Sequence, residues 1–172
     1  LTLSLLASSA MAAVSQSEAA RLGSELTPVG AEKAGNAAGT IPAWTGGLAQ
    51  DAAPVSPDGF VGDPYAGDKP KFTITAQNYE QYKANLTPGQ IAMFKRYPDS
   101  YRLPVYETRR SAAMPQHVYD AAARNATQTQ LVRGGNGLEN FEKAIAFPIP
   151  KDGLEVIWNH ITRYRGGSAR RV

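Results

Sequence analysis

Phe147-Pro148-Ile149-Pro150-Lys151-Asp152-Gly153-Leu154-Glu155-Val156-Ile157-Trp158-Asn159-His160-Ile161-Thr162-Arg163-Tyr164-Arg165-Gly166-Gly167 carries the clearest structural signal in the chain. Residues 147–150 are extended, because each proline pushes its predecessor out of helix. Asp152 caps a helix, Glu155 completes an Asp-x-x-Glu variant of the capping box, and Gly166-Gly167 ends it. Leu154, Ile157, Trp158, Ile161 and Tyr164 make an apolar face. A helix with one apolar face needs a second layer to cover it. The rest of the chain offers several short helices and very few strands. The expected class is therefore α+β: an N-terminal fragment with a long irregular arm and short helices, whose missing sheet layer lies downstream of Val172.

Working outward, Pro115 opens a helix running to about Thr129, with Val118, Ala122 and Ala126 stacked at i, i+4, i+8, and Gly134-Gly135-Asn136-Gly137 breaks it. Residues 102–108 form an edge strand, because Pro104 cannot donate to a ladder. Thr87-Pro88-Gly89-Gln90 starts a helix, with a Thr cap, Pro at the first position and Gln at the third. Thr75 caps another over 76–85, with Tyr79, Tyr82 and Leu86 near one face, and Phe72-Thr73-Ile74 precedes it as a short extended piece. Residues 24 to 71 have no sustained period and many Gly, Pro, Asp and Ala residues. They make an extended arm that packs on a larger body through Trp44 and Tyr65, since an aromatic side chain stabilises only where it meets a surface. Ser15 and Glu18 form a capping box for a short helix closed by Gly23.

The opening Leu1-Thr2-Leu3-Ser4-Leu5-Leu6-Ala7 begins an apolar run to Val14, with no charge before Glu18. It is shorter than the roughly 20 residues a membrane-spanning helix needs, and matches the apolar core of about 7–15 residues in a secretory signal peptide. Ala10-Met11-Ala12 supplies the small residues that signal peptidase requires, which predicts cleavage before Ala13. The organisation expected is a signal peptide over 1–12, a short helix and Gly/Pro-rich arm over 13–71, and a regular part over 72–172. The product is expected in the periplasm, peripheral to the outer membrane. With no Cys in the chain, it is not lipid-anchored and has neither disulfides nor thiolate metal sites.

Chemistry is sparse. The net charge of +3 is mild, and the small basic groups Arg109-Arg110 and Arg163, Arg165, Arg170, Arg171 lack the aromatic interleaving of a nucleic-acid stripe. They are solvated faces, with anionic lipid headgroups as a weaker option. His117 and His160 are the histidines, and no G-x-S-x-G elbow accompanies them. His160 is a candidate general base or, on the blander reading, a half-buried polar residue at a helix end. Asp51, Asp58, Asp63 and Asp68 do not fit a calcium loop and act as turn formers. Glu139 and Glu142 are paired carboxylates on a solvated helical face. Gly134-Gly135-Asn136-Gly137 lacks the Lys-Ser/Thr of a phosphate loop. No catalytic residue, metal or cofactor is expected. Trp44, Tyr65, Phe147, Trp158 and His160 are the ligand or interface candidates, weighed against core or clamp roles.

Three stretches together carry a resemblance. They are Leu26-Thr27-Pro28-Val29-Gly30-Ala31-Glu32-Lys33-Ala34-Gly35-Asn36 running on to Ile41-Pro42-Ala43-Trp44-Thr45-Gly46-Gly47; Pro115-Gln116-His117-Val118-Tyr119-Asp120 with Asn125-Ala126; and Phe147-Pro148-Ile149-Pro150 through Trp158-Asn159-His160 to Arg163-Tyr164-Arg165-Gly166. The mature chain resembles the N-terminal part of the exported proteobacterial family named domain of unknown function 1329. That resemblance implies a large antiparallel sheet after the present C-terminus, similar to the half-open barrel of periplasmic lipoprotein carriers. Residues 72–172 would then be the helical start of such a domain. The function it implies is non-enzymatic binding or carriage of a lipid-like molecule at the outer membrane. The alternatives are an adaptor docking an outer-membrane or efflux transporter, and a periplasmic hydrolase with His160 as its leading residue. The expected partners are a lipid-like ligand and an outer-membrane or transporter protein, with no nucleic acid and no transmembrane helix once the signal is removed.

Overall fold

The structure is a computed structural model that describes residues 14–49 and 51–166. Helices and small antiparallel strand pairs make it α+β. The elements are α1 (Gln16–Ala19), β1 (Phe72–Ile74), α2 (Pro88–Arg96), β2 (Leu103–Val105), α3 (Gln116–Gln128), β3 (Gln130–Leu131), β4 (Leu138–Glu139) and α4 (Gly153–Thr162), with short 3-10 helices at Tyr79–Asn85 and Arg133–Gly135. The chain divides into two compact units, one built from the segments up to Gln50 and from Arg110 on, the other from Asp51–Arg109.

In the first unit α3 is the centre. Val118, Ala121, Ala122, Asn125 and Ala126 are its buried face, and the run of alanines lets neighbouring backbone come close. The carbonyls of a helix's last turn have no partner within the helix. Here the Val14 N–H donates to the Ala126 carbonyl at 3.1 Å, and Val14 is itself buried. Asn125 reaches sideways: its Nδ2 donates to the carbonyls of Lys143 (3.3 Å) and Ile145 (2.9 Å), and its Oδ1 accepts from the Glu142 N–H (3.1 Å). One buried amide thus holds the turn in which Ala144, also buried, sits at φ 74°.

The part of the arm in this unit is folded back on itself. Thr27 and Ala31 exchange backbone and side-chain bonds, and Asn36 closes a turn onto Thr40 and Ile41. Gly30 has φ 89° and lies against the Pro148 carbonyl, so a side chain there would collide with backbone. Trp44 donates from its backbone to Lys33 (2.8 Å) and from Nε1 to the Ala112 carbonyl (2.9 Å). The Arg110 guanidinium donates to the carbonyls of Glu32, Lys33 and Ala34. This stretch is structured without regular elements, which satisfies its backbone as a compact domain requires.

The second unit has an aromatic core. Phe94 of α2 is fully buried, stacked on Tyr79 at 5.4 Å and met edge-on by Tyr101 at 4.8 Å. β1 pairs antiparallel with β2 in the register Phe72↔Val105, Thr73↔Pro104, Ile74↔Leu103, so Pro104 does lie in a strand pair with a free edge. The Thr87–Gln90 box caps α2 as expected.

Several expectations change. Residues 79–85 are a 3-10 helix rather than an α-helix over 76–85. The Asn78 side chain accepts from Thr75 N (2.7 Å) and donates to the Thr73 carbonyl (3.1 Å), which draws the first residues into a turn. α1 ends at Ala19, short of Gly23. α3, by contrast, ends at Gln128 as expected, with Thr129 as its extended C-cap just before β3. Glu139 and Glu142 are not on a helix: Glu139 is in β4, and Glu142 forks onto Arg124 at 2.6 Å and 2.7 Å.

Candidate functional site

α4 carries two of the sequence candidates, Trp158 and His160, and grips the backbone of a third, Phe147. Asp152 caps it through Leu154 N (2.9 Å) and Glu155 N (3.0 Å). The expected reciprocal bond overshoots, since Glu155 accepts from Lys151 N, one residue before the cap. Trp158 is half-buried and donates from Nε1 to the Gly135 carbonyl at 3.0 Å. Asn159 makes a two-point bond with Phe147, accepting from its N–H at 2.8 Å and donating to its carbonyl at 2.7 Å. Phe147 is buried at 6% exposure, so it is a packing residue rather than a displayed one. Its backbone is what α4 grips.

His160 is exposed on the far side of that grip. Its Nε2 lies 3.5 Å from Arg163 Nη1, and Arg163 donates to the His160 carbonyl at 2.7 Å. Among the described residues no carboxylate is hydrogen-bonded to it. His117 meets the Tyr164 ring edge-on at 6.1 Å. Trp44 is engaged by its own unit, as above, and does not join Trp158 or Phe147. Ala10, Ala12 and Ala13, the predicted cleavage residues, lie outside the described residues.

Tyr65 belongs to a different arrangement. Arg109 forks onto Asp68 (Nε to Oδ2 3.0 Å, Nη2 to Oδ1 2.8 Å) and lies over the Tyr65 ring at 4.5 Å. The hydrogen bond to Asp68, ahead of all other influences, raises the Arg109 pKa above its ordinary value. Asp63 accepts from Tyr65 N at 2.8 Å, a turn-forming role as expected. These residues, with Tyr106 and Glu107, line an open cleft of about 380 Å³. Its walls mix the charged groups of Asp63, Asp68, Glu107 and Arg109 with the rings of Tyr65 and Tyr106. Among the described residues no group of His, Asp and Glu is placed to hold a metal ion.

The most exposed apolar side chains lie elsewhere in the second unit. Pro54-Val55-Ser56-Pro57-Asp58-Gly59-Phe60-Val61-Gly62 is a tight hairpin in which Val55 bridges Val61. Its backbone bonds are internal: Ser56 N to Phe60 O (2.9 Å), Gly59 N to Ser56 O (2.8 Å), Gly62 N to Pro54 O (2.7 Å), with Ser56 Oγ accepting from Phe60 N (3.1 Å). Val55, Phe60 and Val61 are 65%, 75% and 72% exposed, more than any other large apolar residue among those described. Sequence reasoning missed this hairpin. The signal was present in the Ser-Pro-Asp-Gly turn between two apolar residues and two more. Among the described residues no helix is long and apolar enough to cross a membrane.

An uncharacterised protein of Pseudomonas aeruginosa is 68% identical over all 172 residues, and the chain spans 38% of that relative's length. No solved structure matches the chain. The model of the family Protein of unknown function (DUF1329) matches residues 73–172. That match spans more than half of the sequence, and the chain belongs to the DUF1329 family.

Proposed function

We propose that the full-length protein is an exported periplasmic binding protein, without enzymatic activity, that takes a lipid-like or other hydrophobic molecule at the outer membrane. The observation that carries the reading is the hairpin at 54–62. Its three apolar side chains, the most exposed large apolar ones among the described residues, project from a turn held by backbone bonds of its own. Apolar surface of this kind gains free energy when it leaves water. Export is supported by the apolar run and the Ala10-Met11-Ala12 site. Val14, just past the proposed cut, is already buried against Ala126.

The same hairpin supports a second reading, an adaptor that docks an outer-membrane or transporter protein. Trp44 does not serve that role, because its indole is bonded to Ala112. A hydrolase finds less support, since His160 is paired with Arg163 rather than with an acid. Native mass spectrometry of the full-length protein taken from the periplasm separates the first two. The binding reading expects a lipophilic mass released on activation. A protein that never carries such a molecule, and whose hairpin crosslinks to another protein, would be an adaptor instead.

A further inference from the structure

α4 docks by one side and keeps its most apolar side in water. With 3.6 residues per turn, Leu154, Ile157 and Ile161 fall in one narrow stripe. Glu155, Trp158, Asn159 and Thr162, the half-buried residues, are centred about a third of a turn away. Two of those four, Trp158 and Asn159, make the side-chain bonds to Gly135 and Phe147. Leu154 leans over Gly135, whose missing side chain makes room for it. Ile157 and Ile161 are 56% and 53% exposed. Of the expected apolar face, Trp158 belongs to the side by which the helix is held, whereas Leu154, Ile157 and Ile161 do not.

Polar side chains fix the rotation of α4, so it cannot roll its stripe inward without breaking the Asn159–Phe147 pair. The stripe is therefore left open to another surface. The relative that matches every residue of this chain extends well beyond it, the chain being 38% of its length. A segment on the same polypeptide also competes at a high effective concentration against any free partner. We infer that in the full-length protein the Leu154–Ile157–Ile161 stripe is seated against an apolar face supplied by the part of the same polypeptide not included in these 172 residues. α4 then works as a two-sided connector, with amide and indole bonds to one body and aliphatic packing to the other.

The test uses single cysteines in a full-length protein otherwise free of reactive thiols; the present stretch has none. Val156, outside the stripe, is 51% exposed, so Val156→Cys, Ile157→Cys and Ile161→Cys would react alike with a maleimide if nothing covered α4. The inference expects positions 157 and 161 to react about 50-fold more slowly than 156, because reaction must wait for local opening. Equal rates overturn it. Protection lost on dilution, which points to a second copy, or lost on extracting lipid, which points to a bound lipophile, overturns it too. A second measurement guards against a variant that misfolds. Ile157→Asp should lower the melting temperature of the full-length protein by about 5 °C or more, while Val156→Asp leaves it nearly unchanged. Equal shifts would contradict the inference.

Discussion

Asn125 shows how much one side chain can hold. It is 1% exposed and bonds three backbone groups of the loop at 142–145. Replacing it with Leu removes three hydrogen bonds to the backbone of a part-buried loop, each worth about 0.5–1.5 kcal/mol net. Asn125→Leu should therefore lower the unfolding free energy by about 2–4 kcal/mol in a urea titration. A loss below about 1 kcal/mol would mean that the loop does not depend on the amide. Ala144 in the same loop offers the opposite sign. At φ 74° it strains a residue with a side chain, and Ala144→Gly relieves a cost of about 1 kcal/mol. Neither role was visible in the sequence, where Asn125 is one polar residue on an otherwise apolar helical stripe. Its partners are 17 to 20 positions away. Asn159 and Arg110 were hidden for the same reason, because their function is to satisfy distant backbone.

At the scale of elements, local signals translated well. Ser15, Thr87 and Asp152 each cap the helix they were expected to cap, because a cap depends on three or four consecutive residues. Thr87→Ala should cost about 1 kcal/mol of stability, read from chemical denaturation, and no change would deny the cap its role. The two capping boxes differ in a way that acid can read. Glu18 is held below its usual pKa, first by the Ser15 backbone N–H and then by the Ser15 hydroxyl. A carboxylate lowered in the folded state stabilises above its unfolded pKa of 4.5, and that stabilisation is lost as pH falls through the lowered value. Gln90 makes the corresponding bond in the α2 box and has no charge to lose. Amide exchange at Ser15 should therefore quicken, relative to its intrinsic rate, as pH drops below about 4.5, while Thr87 stays protected. Parallel behaviour at the two sites would contradict this. The 3-10 helix at 79–85 escaped the sequence because apolar spacing does not separate it from an α-helix over two turns. At three residues per turn Tyr79 and Tyr82 come onto one side. There they stack on Phe94 and on Phe72, respectively.

At the scale of the molecule, the α+β class and the family were readable, and the display of apolar surface was only half so. The stripe on α4 was legible as an apolar face; its exposure was not, because Trp158 and Asn159 set the helix's rotation through bonds to distant backbone. The arm was expected to be anchored by Trp44 and Tyr65, and both are engaged, Trp44 with Ala112 and Tyr65 under Arg109. That leaves Val55, Phe60 and Val61 as the most exposed apolar residues of the stretch. Burying a Phe side chain is worth about 1.5–3 kcal/mol, and about 1.4 kcal/mol is tenfold in affinity. Titration of a fluorescent phospholipid into the full-length protein, with Phe60→Asp as its partner variant, is therefore the most direct test of hydrophobic binding through the hairpin. Saturable binding that weakens at least about tenfold in Phe60→Asp is the predicted result. Absence of binding, or binding unchanged by the substitution, would contradict it.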